Sequence, residues 1–293
     1  MSENLISLVI NKLGCSQKEL AERLGVSQGQ ISKWKKGEYM SLDMHKTLSN
    51  LAQIEEGLGA DFVVLSNGIE NAKKWNRLIC DLGADVADDI GGEIFVTIVP
   101  LIEDTQSLSS ITLNLMSERG LTIPSVYPDE LDIYLDDDGY LDFDKIRGNM
   151  YSKFIYELLE SYSCIYAFYS VYIEYMNEYE FLYDDVFDLE CNLLALAACK
   201  LGLNNNNTEY NMKFINKTRV WFWDKLSYLK EKAFYHHVPF RNELFKLMND
   251  ELFSLKEEAE IRTVLNNGCP DYYLGKLIDL QMENNQFLES LRD

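Results

Sequence analysis

Three groups of side chains in this 293-residue chain have types and spacing that invite chemistry. The first is Ser27, Gln28, Gly29, Gln30, Ser32, Lys33 and Lys36, with Gln17 just upstream. Its amides, hydroxyls and ammonium groups form a polar, basic set, suited to hydrogen bonding and charge attraction rather than to making bonds. The second is His236 and His237 beside Tyr235. Acid–base work there would need a nucleophile or carboxylate pattern, which does not accompany them, so the pair reads as structural or surface. The third is the six cysteines, Cys15, Cys80, Cys164, Cys191, Cys199 and Cys269, none in a C-x-x-C pair. With His45, His236 and His237 the only histidines, zinc spacing is absent and no metal is expected. The thiols read as reduced and buried, Cys191 and Cys199 sharing a helical face. No phosphate-binding glycine loop, dinucleotide fingerprint, G-x-S-x-G or H-E-x-x-H occurs. The expectation is a chain without a cofactor and without enzyme activity.

The first group needs two short helices to position it. Ser16 can cap a helix over Gln17 to Leu24, with Glu19 at the reach-back position of a capping box. Leu20 and Leu24 share a face, and Ala21 permits a second helix to cross closely. Gly25 suits the turn, Ser27 can cap a second helix from about Gln28 to Lys36, and Gly37 ends it. Ile31 and Trp34 point inward with Val26, which leaves Gln28, Gly29, Gln30, Ser32, Lys33 and Lys36 facing outward. Leu5, Leu8, Val9 and Leu13 predict a preceding helix, and Leu42 to Ile54, capped by Ser41, a following one.

The pattern Q-x-x-x-A-x-x-x-G-V-S-x-x-x-I-S-x-W-x-x-G, from Gln17 to Gly37, resembles the helix-turn-helix of the phage repressor and Cro family, the Xre-type regulators. The resemblance covers residues 1–66 and implies double-stranded DNA as the partner. It would set Gln17 by a backbone phosphate, and Gln28, Gly29, Gln30 and Lys33 toward major-groove base edges. Gln28 would read adenine through N6 and N7, while Lys33 would reach guanine or a phosphate. Gly29 departs from the family by offering no contacting side chain. Lys35 stands where an acidic residue is common, adding positive charge.

Charge divides the chain in the same place. Residues 1–54 hold seven Lys or Arg against five Asp or Glu, leaving 20 against 43 in residues 55–293, a balance of −23 there. Any attraction to DNA must come from the N-terminal segment, and the remainder should repel it. No secretory leader pattern starts the chain and no window offers the roughly 18 uncharged apolar residues of a membrane span, so a cytoplasmic, non-membrane protein is expected.

The expected architecture is mainly α. A four- or five-helix DNA-binding domain occupies 1–66, and a larger acidic regulatory or oligomerisation domain occupies 67–293. Within the latter, 67–150 reads as mixed α/β and 151–293 as helical. Asn67 can cap a connector helix through Trp75, Leu78 and Ile79, and residues 81–92 are either a linker or a helix with an acidic face. The β-branched run IFVTIVPLI predicts a strand over 94–99. A helix follows from Ser107 to Glu118. The alternation around Asp137-Asp138-Gly139 predicts a hairpin over 131–143. A calcium loop in that register would need a ligand at Tyr134 and a glutamate where Lys145 stands, so the hairpin is preferred. Helices are expected over 145–180, 184–201, 209–235, 240–266 and 271–291.

In the first of these, Tyr162, Tyr166, Tyr169, Tyr172, Tyr175 and Tyr179 recur every three or four residues. Such a stripe suits packing inside one subunit, a dimer or partner surface, or a ligand-pocket wall. The function expected is a sequence-specific transcription regulator, a repressor binding a palindromic operator as a homodimer. Two alternatives stand beside it: an antitoxin or phage-defence protein whose acidic domain binds a protein partner, and a ligand-sensing regulator.

Overall fold

Helices dominate the computed structural model, which describes residues 2–55, 58–91, 105–133, 142, 145, 148–202, 208–249 and 251–268. Twelve α-helices occur among the described residues, with no strand. The chain divides into two compact units, one from Met1–Asp85, Val99–Glu157 and Leu203–Phe214, the other from Val86–Ile98, Leu158–Gly202 and Ile215–Asp293.

The first unit opens with five helices: α1 (Ser2–Leu13), α2 (Gln17–Leu24), α3 (Gln28–Lys35), α4 (Leu42–Ala52) and α5 (Ala60–Leu65). Leu5, Ile6 and Val9 of α1 are fully buried with Leu20, Ile31 and Leu48 of its neighbours. This is the core that two short helices cannot make alone, and α1 packs on α3, α4 and α5 to complete it. Asn4 donates to Asp61 at 2.8 Å, tying α1 to α5. The next helix, α6 (Ile69–Gly91), runs without a break through the acidic stretch that the sequence left open between linker and helix. Its buried residues Ala72, Trp75, Leu78, Ile79, Leu82 and Val86 follow the 3.6-residue period, which explains why the acidic residues between them do not interrupt it.

Helix α7 (Thr105–Glu118) packs on α5 and leads to a strap over residues 121–133. Asn67 donates to the Pro124 carbonyl and Asn71 to that of Ser125, while Asn71 also accepts from the Tyr127 N–H and Lys74 pairs with Asp132. Asn71 and Lys74 are three residues apart and therefore lie on one side of α6, with Asn67 just ahead of its first turn. The expected hairpin is corrected at its start. Leu131, Asp132 and Ile133 lie in a 3₁₀ turn, Asp129–Ile133, opened by a bond from the Leu131 N–H to the Pro128 carbonyl at 3.0 Å. Burial of Leu131, 2 % exposed, fixes that turn, and alternation over so few residues fits either form. Residues 134–141 and 143 of that hairpin, the strand over 94–99 and the helix over 271–291 lie outside the described residues.

The second unit contains the end of α8 (Met150–Ile173), α9 (Glu180–Cys191), α10 (Leu193–Lys200), the greater part of α11 (Thr208–Tyr235) and α12 (Leu252–Gly268). Three expected helices have different limits. The one over 145–180 tightens at Glu174–Glu178 into a 3₁₀ turn. The one over 184–201 starts earlier and splits at Asn192, whose side chain donates back to the Asp188 carbonyl at 2.8 Å. The one over 240–266 is a 3₁₀ helix, Asn242–Met248, followed by α12. Leu244 and Leu247 are both buried and three residues apart, the spacing that a 3₁₀ helix places on one side.

The tyrosine stripe faces inward. Tyr162, Tyr169 and Tyr172 are each 2 % exposed. Tyr169 donates to the Val186 carbonyl at 2.8 Å, Tyr166 to Glu190 at 3.1 Å, and Tyr172 to Glu258. Burial pushes the phenols of Tyr162 and Tyr169 far above their ordinary range and that of Tyr166 to about 12. Packing within one subunit is therefore what the stripe does on these residues.

Candidate nucleic-acid interface

The polar, basic set sits on a scaffold whose joints are hydrogen-bonded at each end. Ser16 caps α2: its hydroxyl accepts from the Glu19 N–H at 3.2 Å, and Glu19 accepts the Ser16 N–H at 2.7 Å. That backbone bond to the carboxylate, first among its causes, holds the Glu19 carboxyl below its usual range. Gly25 ends α2 in the left-handed region at φ 67°, where a side chain would be strained, and the Val26 N–H reaches back to the Ala21 carbonyl at 3.0 Å. Ser27 then caps α3 by accepting from the Gln30 N–H at 3.1 Å. Ile31 and Trp34 are buried at 0 and 6 % exposure, and the Trp34 indole N–H donates to the Tyr39 carbonyl at 3.0 Å.

The eight sequence-selected residues divide by what their side chains already hold. Gln17 donates from Nε2 to the Ser32 hydroxyl at 2.7 Å and to the Gln28 carbonyl at 3.3 Å, while Ser32 donates to that carbonyl at 3.2 Å. The two bonds from Gln17 fasten α2 to α3, while the Ser27 cap and the Ser32 bond lie within α3. Ser27, Gln28, Gly29, Lys33 and Lys36 are exposed, and Gln17, Gln30 and Ser32 are half-buried. A Cβ added at Gly29 would meet only the Ser27 hydroxyl, at 3.7 Å, an ordinary contact. Nothing in the packing requires a bare backbone there.

One partner escaped the sequence reading. Lys33 pairs with Glu38 at 3.6 Å, both side chains more than half exposed. Gly37, at φ 88°, turns the chain back so that the Glu38 N–H bonds the Lys33 carbonyl at 3.1 Å. A left-handed glycine directly after a helix was the available signal, because it returns the next residue to the last turn. Tyr39 follows at 86 % exposure, its carbonyl held by Trp34. The outer face of α3 thus offers amides at Gln28 and half-buried Gln30, a cation at Lys36 just past its end and one cation shared with a carboxylate, on a frame fixed by other groups. Such a helix face can donate to and accept from base edges and attract phosphates.

Residues 6–65 match the family model described as Helix-turn-helix. The head of this chain is a helix-turn-helix domain of the Xre and Cro type. A helix-turn-helix domain here points to a DNA-binding regulator of transcription. Beyond residue 65 no family model matches, and no curated protein and no solved structure matches the chain. Among the described residues no helix is long and apolar enough to cross a membrane, and no cluster of three His, Cys, Asp or Glu could hold a metal ion.

Proposed function

We propose that the chain is a sequence-specific repressor that binds a palindromic operator as a homodimer, α3 of each copy lying in the major groove. The observation that carries this reading is the division of labour on α3. Gln17 and Ser32 hold the two helices together and Ser27 caps α3, while Gln28, Lys33 and Lys36 point outward. Gln28 reads an adenine through a bidentate amide, Lys33 a guanine or a phosphate, and Lys36 a phosphate. The head is only weakly basic, so one copy binds weakly. Two linked heads reach useful affinity by binding half-sites about one helical turn apart.

The test is an electrophoretic shift of the full chain on fragments of its own promoter at low and moderate salt. A preferred fragment with two-fold symmetry is expected. Gln28→Ala should lose roughly 1–3 kcal/mol at a single base position, whereas Lys36→Ala should weaken all sequences alike and flatten the salt slope. Binding without sequence preference at every salt concentration sinks the reading.

A second reading rests on the −23 balance of residues 55–293. A surface so acidic favours a basic protein partner, as in an antitoxin whose head only regulates its own operon. Stoichiometric co-purification of a basic protein encoded beside it would select this reading.

A further inference from the structure

We infer that this chain self-associates through the second unit, the exposed aromatic stripe of α11 on one copy docking against the acidic aromatic face of α9 on another. The proposal rests on the homodimer reading above and names its surface. On α11, Val220, Trp223 and Phe234 are 59, 55 and 76 % exposed. With Ser227 and Lys230 between them they follow a three- and four-residue spacing, so they form one stripe along the helix. Trp223 is backed by Phe245 at 5.0 Å, and the Lys230 ammonium lies 5.9 Å from that same ring. Large apolar side chains exposed at both ends of one helix face, with the Lys230 stem between them, offer an interaction site.

The occupant follows from charge. Helix α11 carries Lys213, Lys217, Arg219, Lys225, Lys230 and Lys232 against Glu209, Asp224 and Glu231, a basic helix in a chain of net charge −21. Helix α9 is its opposite: Glu180, Asp184, Asp185, Asp188 and Glu190 with no Lys or Arg, and exposed Tyr183 and Phe187 stacked at 6.2 Å and 9°. The two helices already pair within one copy on their inner sides, Asp185 with Lys232 and Asp188 with Lys225, each at 2.7 Å. Asp184 and Lys230 remain exposed on the outer sides beside the aromatic residues. A second copy supplies both complements at once, an acidic face for the basic stripe and a basic stripe for the acidic face. Any other partner would have to bring one of them.

Sedimentation velocity of the full chain without DNA tests this, because it is blind to whether an operator exists. A concentration-dependent dimer is expected at micromolar protein. Phe234→Glu and Phe187→Glu, both at exposed positions, should leave the helical circular dichroism and melting unchanged and weaken association roughly ten-fold or more. Lys230→Glu and Asp184→Lys should each weaken it roughly two- to five-fold, and an equimolar mixture of these two variants should recover the wild-type affinity, since each then meets the opposite charge. A wild-type chain that stays monomeric at roughly 100-fold higher concentration overturns the proposal, as does a dimer indifferent to both aromatic variants or a mixture no tighter than its components. A chain that dimerises in this way but binds no operator keeps the proposal and loses only the DNA-binding reading.

Discussion

In the head, α2, α3 and α4 each begin at a serine, Ser16, Ser27 and Ser41, whose hydroxyl accepts the backbone N–H three residues on. In the second unit, α9 and α10 begin at Tyr179 and Asn192, and neither side chain caps its helix. The head is built from helices of 6 to 12 residues, and three of them have ends settled locally by those serines. The other region is built around a 28-residue and a 24-residue helix whose partners lie far along the chain, as Tyr169 with Val186 and Tyr172 with Glu258. Short helices gain little from propagation and so depend on their ends, whereas long ones are held by the face they bury. The head spends its polar groups on boundaries and one outward face; the second unit spends them on joining distant segments.

The largest effect that would break this contrast comes from the core that both regions share in kind. Ile31→Ala, at a fully buried position, should destabilise the head by about 2–5 kcal/mol and abolish its cooperative melting transition and DNA shift together. If calorimetry shows the head melting unchanged, its short helices are not held by that core.

Alkaline pH acts on the other region. The folded state keeps the phenols of Tyr162 and Tyr169 neutral because burial raises their affinity for the proton. Their contribution to stability is complete below the unfolded tyrosine value near 10 and is lost as pH rises above it. An ultraviolet titration should therefore show the stripe ionising only together with loss of helical circular dichroism. A single smooth titration with the helices intact would show that the stripe is open to solvent.

The third test sets cap against break. Ser27→Ala should cost about 1 kcal/mol, with the loss confined to the head, while Asn192→Ala, which removes only an exposed bond to the Asp188 carbonyl and no N-cap of the following helix, should change stability by less than about 0.5 kcal/mol. Chemical denaturation measures both. Equal losses would erase the distinction between locally and distantly fixed helix ends. The smallest effect is Glu38→Gln, which frees Lys33 and removes a carboxylate beside the outer face of α3. DNA affinity should rise about two- to five-fold with no change in melting temperature. An unchanged or weaker shift would place Lys33 away from the DNA.

The same contrast explains what could be read from the residues alone. The Ser16 capping box, the Gly25 turn and the inward Ile31 and Trp34 are interactions within a few positions of each other, so the pattern states them directly. The break at Asn192 carries no proline or glycine and depends on packing of Leu189 and Leu193, buried on either side of it. Leu131 and Ile133 alternate like a strand, yet Leu131 is buried within a 3₁₀ turn. The tyrosine period identified a face but not its direction, because a tyrosine ring suits both an interior with a hydrogen-bond acceptor and a wet interface. The Glu38 partner of Lys33 was within reach of sequence reasoning, through Gly37, while the engagement of Gln17 with Ser32 needed the crossing of two helices.

That last tie has a consequence for how such a head changes over generations. Because Gln17 holds on to Ser32 and to the main chain of Gln28, the bond survives any exchange of the side chains at 28, 29 and 33. Positions that would choose a sequence are not the positions that keep the fold. If α3 reads DNA as proposed, mutational drift can rewrite its preference one residue at a time without passing through an unfolded ancestor, and grafting those positions from another head should transplant that preference.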